Sequence, residues 1–371
     1  MICYIKFTYT TMYSFVDQYF KLVKRIIPAG HQGSVVGLEA GGGVCKAIEI
    51  QHRTDGFEVL RWHAQSVDPS DEKPVIEKLV SSWDLSSGKR PVIASVCGKG
   101  TLIRYIDMPR MPMADLKRAF ALEADKYFPF PKETVYTDCC ILDPRGGDKR
   151  MSVLIAAVKK DLIDARLKLF KDCGVEVLTA TMNSVAVSNA FMTFLPDGGP
   201  DKSSGAGEQG HASAIVDIGE TATNLMIMTS KAPRFNRDIF TGTQEAYKRL
   251  GNILGVSPQE ARVFILSASD KKDAVSQGVS AFVDSLVSEI RLSFDYFITE
   301  KNFQIGRIFV IGEGAALPGV EKILQEHFDI PVVKWNPFEQ VALAEDIVKA
   351  DFLSQGPRLI TAFGLALNEY D

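Results

Sequence analysis

Apolar residues in this chain gather into two hairpins at widely separated positions. The first runs Val35-Val36-Gly37-Leu38-Glu39-Ala40-Gly41, turns through Gly42-Gly43 and returns as Val44-Cys45-Lys46-Ala47-Ile48-Glu49-Ile50. The second runs Ala214-Ile215-Val216-Asp217-Ile218-Gly219, turns through Glu220-Thr221-Ala222 and returns as Thr223-Asn224-Leu225-Met226-Ile227-Met228. In each, an apolar strand leads to an acidic residue, one spacer and a glycine before a second apolar strand begins. Glycine lets another chain or a phosphate come close to the N–H groups of such a turn. The repeated hairpin predicts two related lobes facing one cleft. A third glycine turn, Ile308-Phe309-Val310-Ile311-Gly312-Glu313-Gly314, is expected to close it.

The period of the remaining apolar positions predicts the other elements. Phe15, Val16, Tyr19, Phe20, Val23, Ile26 and Ile27 recur at helical spacing, with Asp17, Gln18, Lys21, Lys24 and Arg25 between them, and Pro28-Ala29-Gly30 ends the helix. That helix reads either as docked on the protein's own core or as interfacial, with residues 15–27 on a membrane surface and Lys21, Lys24 and Arg25 near anionic head groups. Met12 is an alternative start. Residues 35–96 read as strand, hairpin, strand, helix (71–83) and buried strand (91–96). A helix over 113–128, with Leu116, Phe120, Ala124 and Tyr127 along one face, is stopped by Pro129-Phe130-Pro131. Strands over 135–142 and 151–158, joined by Pro144-Arg145-Gly146-Gly147, make a hairpin, and a helix over 161–173 ends at Gly174. This stretch is a βαββα block. Residues 195–210 form a polar loop without period that separates the halves. The second half continues with helices over 242–255, 258–267 and 274–299, a strand over 307–311, a helix over 318–328 and a terminal helix from Gly356.

Length and composition narrow the class. A chain of 371 residues is too long for one compact core and implies two to three domains. With 46% hydrophobic and 24% charged residues it reads as an ordinary soluble globular protein. A net charge of −4 argues against a general nucleic-acid binder, which needs a basic face. Cys3, Cys45, Cys97, Cys139, Cys140 and Cys173 show no C-x-x-C pair and no zinc-ligand spacing, so they read as reduced, buried residues of a cytoplasmic protein. No apolar run approaches the ~20 residues needed to span a bilayer. The N-terminus also lacks a basic segment followed by a small-residue cleavage site.

In this order the motifs resemble the bacterial actin-like proteins, specifically the type IV pilus assembly PilM family, with the FtsA division family a more distant relative. The resemblance spans nearly everything from Val36 to Leu367. It rests on Val36-Gly37-Leu38 through Lys46, Leu116-Lys117-Arg118 through Glu123-Ala124-Asp125-Lys126-Tyr127-Phe128-Pro129-Phe130-Pro131, and Val216-Asp217-Ile218-Gly219. Phe235-Asn236-Arg237-Asp238-Ile239, Leu317-Pro318-Gly319, Asn336-Pro337-Phe338 and Ala362-Phe363-Gly364-Leu365-Ala366-Leu367 add to it. The resemblance implies an α/β actin-like ATPase fold: two lobes of mixed sheet with flanking helices and a βαββα subdomain that actin lacks. On this basis the chain divides into an N-terminal helix and linker (1–33), lobe I (34–107), the inserted subdomain (108–180), a connecting helix (181–195), a linker (196–210) and lobe II (211–371). It also implies a cytoplasmic protein peripheral to the inner membrane, able to self-associate, with a PilN-type partner whose N-terminal tail docks beside the inserted subdomain.

An actin-like cleft uses turn N–H groups to cradle phosphates and carboxylates to hold hydrated Mg²⁺ and orient water. Here Gly41, Gly42, Gly43, Gly219, Glu220, Thr221, Gly312 and Gly314 stand at the expected turns. Lys46 matches the lysine of the first hairpin, with a solvent-facing strand lysine as the plain alternative. Asp217 keeps the second carboxylate and is the candidate magnesium ligand, the alternative being a turn-capping aspartate. Other positions depart. Glu39 replaces the family's first aspartate, and Thr181 and Asn183 stand where the family has Asp and Glu. Ala261-Arg262-Val263-Phe264-Ile265 replaces Ala-Glu-x-x-Lys, removing both ribose grips, while Glu313 replaces a paired glycine and Gly242-Thr243 interrupts another. Losing one charged hydrogen bond costs roughly 1.5–3 kcal/mol, so losing two weakens binding by a factor of about a hundred to many thousands. The cleft therefore reads as degenerate: weak ATP and Mg²⁺ binding, no turnover, no confident catalytic residue.

Tyr127, Phe128 and Phe130, held extended by Pro129 and Pro131 and flanked by Lys126 and Lys132, are the candidate partner-binding residues. Aromatic side chains bury a large area while freezing few torsions. The alternative is that these rings pack the insert onto the first lobe. The leading function is thus a non-enzymatic adaptor of a type IV pilus or the related type II secretion system. A working ATPase whose nucleotide state gates partner binding, and an FtsA-like filament-former, are the competing readings. The second of these is disfavoured because Leu365-Ala366-Leu367-Asn368-Glu369-Tyr370-Asp371 carries no amphipathic membrane helix.

Overall fold

The computed structural model describes residues 33–53, 56–142, 149–194, 210–229, 232–267, 270–301 and 303–367. The helix read over 15–27, the turn at 144–147 and the 195–210 loop except Gly210 lie outside the described residues.

The first hairpin, β1 (Ser34–Gly41) and β2 (Val44–Arg53), is antiparallel and its register sets Glu39 opposite Lys46. A further strand, β3 (Gly56–Ser66), pairs with β2, and α1 (Lys73–Trp83) leads to β4 (Val92–Val96), which lies parallel to β1. The inserted block follows as β5 (Thr101–Pro109), α2 (Met113–Glu123), β6 (Val135–Ile141), β7 (Arg150–Lys159) and α3 (Lys160–Asp172). It has the βαββα order read from the sequence, with its own sheet in the order β5-β7-β6 and a first strand that begins at Thr101, ahead of residue 108. Helix α2 is shorter than the 113–128 span expected. It tightens into a 3-10 turn at Ala124–Lys126, because Pro129 and Pro131 supply no amide and force extended backbone before them.

From the insert the chain enters β8 (Val177–Met182), parallel to β4, then α4 (Asn183–Thr193). The second hairpin is β9 (Gly210–Ile218) and β10 (Thr223–Met228), followed by β11 (Pro233–Ile239), α5 (Thr243–Leu254), α6 (Pro258–Leu266) and α7 (Lys272–Lys301). Ser257 and Glu260 cap the start of α6 reciprocally, which fixes the first turn of the helix that carries Arg262. Strand β12 (Phe303–Ile311) pairs in parallel with β9 and β13 (Val332–Lys334), with α8 (Val320–Phe328) between them, giving a second sheet in the order β11-β10-β9-β12-β13.

The chain's end returns to the first sheet. Strand β14 (Ala342–Leu343) pairs with β3, and α9 (Lys349–Ala366) packs on β1 and β2, so the span read as the second lobe gives its last elements to the first. Helix α9 begins before Gly356 and continues through Pro357. Proline has no N–H to donate back to the Leu353 carbonyl, and Asn336 Nδ2 supplies that bond at 2.9 Å. Helices α4 and α9 lie between the two sheets and join them in one core: Ile48, Ile50 and Val59 from the first, Ile215, Met226 and Phe309 from the second, with Phe191, Phe338, Phe352 and Phe363 between. Each fully buried phenylalanine contributes about 1.5–3 kcal/mol relative to exposure. The approach needs glycine at two points. A Cβ on Gly37 would lie 1.9 Å from the Ala362 carbonyl oxygen, and one on Gly364 would lie 1.9 Å from that of Ala186. Among the described residues no helix is long and apolar enough to cross a membrane.

Candidate functional site

The two hairpin turns face each other across the junction of the sheets and touch. Gly41, Gly42 and Gly43 have φ of 132°, 62° and 89°, so the first turn takes a course that other residues rarely adopt. From the second turn, the Thr221 hydroxyl donates to the Gly42 carbonyl at 3.3 Å. Glu220 Oε2 lies against Gly43, within 2.8 Å of where a Cβ would stand. Behind the second turn, the first amides of α5 are already engaged: Thr243 N donates to the Gly219 carbonyl and Gln244 N to the Glu220 carbonyl, each at 3.0 Å. These helix-terminal donors brace the turn itself.

Beneath the turns lies a buried charge cluster. Lys46 is only 3% exposed, so it is no solvent-facing strand lysine. Its Nζ lies 3.4 Å from Glu39 Oε2 and 3.2 Å from Glu313 Oε1. Glu313 Oε2 in turn lies 2.6 Å from the Arg358 guanidinium, and Asn183 Nδ2 donates to Glu39 Oε1 at 3.0 Å. Burial alone would push Glu313 up, but Lys46 and Arg358 outweigh it and hold the carboxyl below its usual range. Burial raises Glu39, which has Lys46 as its cationic partner. Burial likewise disfavours the Lys46 ammonium, yet Glu39 and Glu313 together raise it. Asp217 remains partly open, and burial, then the neighbouring Glu39, pushes its carboxyl up to about 7.

Arg262 carries a role that the sequence pattern, read as the loss of a ribose grip, does not convey. One guanidinium nitrogen donates to Glu220 Oε1 at 2.6 Å, another donates to the hydroxyl of Ser66 at the end of β3, and the group stacks 5.6 Å from the Tyr247 ring centroid. It thus reaches from a helix on the second sheet to a strand of the first. Ile265, at the other lost grip, is buried in the second lobe's core. Burial pushes Glu220 up to about 7, with Arg262 opposing.

The fit to a magnesium nucleotide follows from these pairings. Lys46, Arg262 and Arg358 each face a carboxylate of the chain itself, and the turns that would straddle phosphates are in contact. Thr181 is buried with its hydroxyl unpartnered, and Asn183 is spent on Glu39. Among the described residues no cluster of three His, Cys, Asp or Glu side chains can hold a metal ion. In this arrangement the residues do not fit the group. Gly312 and Gly314 sit against Asp217 and Ile218, closing the third turn onto the second hairpin. Arg358 belongs to no motif, and nothing local in the sequence shows that its helix meets Glu313. The Gly312 amide donates to the Pro357 carbonyl at 2.9 Å, and this brings the middle of α9 to the cleft.

The aromatic run after α2 divides. Phe128 is buried edge-on against Phe120 at 6.0 Å and belongs to the insert's core with Leu116, Val135 and Met151, so it is not available to a partner. Tyr127 and Phe130 are half-buried, the first against Phe120 at 6.2 Å and the second under Lys159 Nζ at 5.5 Å. Lys126 is exposed and pairs with Glu123 at 2.8 Å, and Lys132 is exposed. Leu122 on α2, 78% exposed, is an apolar surface residue that periodicity did not single out.

A family model described as type IV pilus assembly protein PilM matches residues 63–370. Among solved structures, the chain is similar to a PilM–PilN type IV pilus biogenesis complex at 20% identity and a TM-score of 0.76, covering 91% of this chain and 98% of that one. It is also similar to ethanolamine utilization protein EutJ from Carboxydothermus hydrogenoformans at 12% identity and a TM-score of 0.50, covering 96% and 99%. The fold is the actin-like one that the family resemblance implies.

Proposed function

The chain belongs to the type IV pilus assembly protein PilM family, and from that premise we propose that it is an actin-like adaptor of an inner-membrane pilus or related secretion complex. It works in the cytoplasm against the inner membrane and captures the N-terminal tail of a PilN-type membrane protein. The family match over 63–370, which takes in the insert and both hairpin-bearing lobes except the first hairpin, carries this reading. The docking surface lies on the insert beside Tyr127 and Phe130, with Lys126 and Lys132 facing an acidic segment of the tail. The cleft is degenerate and turns over no nucleotide. Its support is the pairing of Lys46, Arg262 and Arg358 with internal carboxylates. Residues 15–27, outside the described residues, are the candidate contact with the membrane surface. Capture of the full chain by the immobilised tail peptide of the PilN-type protein tests the reading; absence of capture at micromolar peptide rejects it.

A further inference from the structure

Arg262 engages both hairpin-bearing lobes from a single charged group at the mouth of the cleft, as Lys46 does at its buried end. Its helix belongs to the second lobe, and so does its carboxylate partner Glu220. The Ser66 hydroxyl that accepts its other hydrogen bond ends β3 of the first. Glu220, held by Arg262, lies against Gly43 of the first lobe's turn. Nearby, Glu313 of the second lobe is gripped by Lys46 of β2 and Arg358 of α9, both packed with the first sheet. The Thr221 hydroxyl meets the Gly42 carbonyl between these two ties. Polar ties thus run from the rim of the cleft at Ser66 to its floor at Lys46, and every one is made by the chain's own groups.

We propose that Arg262 is a built-in strap that closes the two lobes on each other, doing with a guanidinium what a bridging nucleotide would otherwise do. Closure is then a fixed property of the chain, and the insert is presented to a partner in one geometry whatever the nucleotide supply. The proposal rests on the reading of the cleft as degenerate. A guanidinium suits the task because its planar fork serves two acceptors at once and keeps its charge at any physiological pH. Lysine has donors enough but only one nitrogen, so it lacks the fork that reaches Glu220 and Ser66 from two separate nitrogens.

The test uses the full chain in small-angle X-ray scattering and amide hydrogen exchange. The samples are the unmodified protein with and without millimolar magnesium ATP, and the variants Arg262→Ala, Arg262→Lys and Ser66→Ala. The expected result is an unmodified protein whose radius of gyration does not respond to ATP. Arg262→Ala should be more expanded, with amides of the Gly42–Val44 turn exchanging roughly tenfold or more faster, since each charge-assisted bond lost shifts the equilibrium by about that factor. Arg262→Lys and Ser66→Ala should fall between. If Arg262→Ala fails to fold, Ser66→Ala decides, because it removes one hydroxyl and leaves every charge in place. Scattering and exchange in Arg262→Ala and Ser66→Ala that match the unmodified protein overturn the strap alone. Compaction of the unmodified protein on adding magnesium ATP overturns both the strap and the degenerate cleft.

Discussion

Asn336 donates its side-chain amide to the Leu353 carbonyl at 2.9 Å, the carbonyl that Pro357 leaves without a helical donor. The Asn-Pro-Phe motif and the proline inside α9 are therefore two halves of one device. Asn336 also accepts from the Phe338 amide at 3.3 Å, which seats Phe338 in the core shared by both sheets. Asn336→Ala is expected to lower stability by about 1–2 kcal/mol, the cost of leaving a partly buried carbonyl without its donor. Pro357→Ala in that background restores an N–H to the helix and should recover part of the loss. Urea unfolding of the single and double variants checks this; strictly additive effects would separate the two residues.

The buried cluster makes a second prediction. Lys46 neutralises Glu39 and Glu313, both nearly inaccessible to solvent. Removing one member of a buried ion group leaves uncompensated charge and costs roughly 3–5 kcal/mol. Lys46→Ala should therefore destabilise by about that amount, whereas Lys126→Ala, whose pair with Glu123 is exposed and screened by solvent, should change little. Thermal unfolding of both variants measures the contrast.

Asp217 gives a pH dependence with a definite sign. Its carboxyl is pushed from the ordinary 3.8 up to about 7 by burial, with Glu39, Glu313 and Asp238 adding to the rise and Lys46 opposing it. Between those values the folded chain holds a proton that the unfolded chain has released. The fold is least burdened below about pH 4 and loses stability as pH rises through 7. Asp217→Asn should thus raise the melting temperature at pH 8, by the equivalent of about 1–4 kcal/mol, and give no gain at pH 4. The low end is expected because the side chain is partly open to water. An equal gain at both pH values would assign the effect to packing.

Much of this was legible in the residues. Hairpins at Glu39 and Asp217 announce themselves because apolar strands on both sides of a glycine turn leave few alternatives. Strand β3 shows no clean period of two, because Val59 is its one fully buried position and most of the others are half-buried, so its bounds could not be placed from the pattern. The early start of α9 was hidden by Pro357, whose helix-breaking tendency is cancelled by a side chain from another element. Arg262 was legible as a departure from a pattern, but its partners were not. Ser66 lies far away in sequence, and only the meeting of the two sheets brings it within reach.

The same geometry decides how nucleotide binding is to be tested. Ile265 is packed in the second lobe's core, so Ile265→Lys, which the family pattern suggests for regaining a ribose grip, would bury an ammonium there. Arg262→Glu would set a second carboxylate beside Glu220. Neither is expected to restore affinity, and both should destabilise the fold. The unmodified chain should bind ATP only weakly in a fluorescent-nucleotide titration, and phosphate release with Mg²⁺ should be no greater than in Asp217→Ala. Release that depends on Asp217 would reinstate the ATPase reading.

The partner surface on the insert is the prediction with the most at stake for function. Phe128 fills the insert's core, so Phe128→Ala should unfold that subdomain at a cost of about 3–5 kcal/mol and says nothing about docking. Tyr127 and Phe130 are different, because each leaves part of its ring at the surface while neighbouring groups hold it in place. A ring so held loses little entropy when a peptide covers it, which is the property of an anchor residue. Tyr127→Ala with Phe130→Ala should therefore abolish capture of the partner's tail peptide while lowering stability by no more than about 1–2 kcal/mol. Lys126→Glu with Lys132→Glu should weaken capture of an acidic tail by a smaller factor, and the loss should shrink at high salt. Fluorescence anisotropy with the labelled peptide, at two ionic strengths, separates the two contributions. Unchanged affinity in the aromatic double variant, with native circular dichroism, would move the docking surface off this edge of the insert.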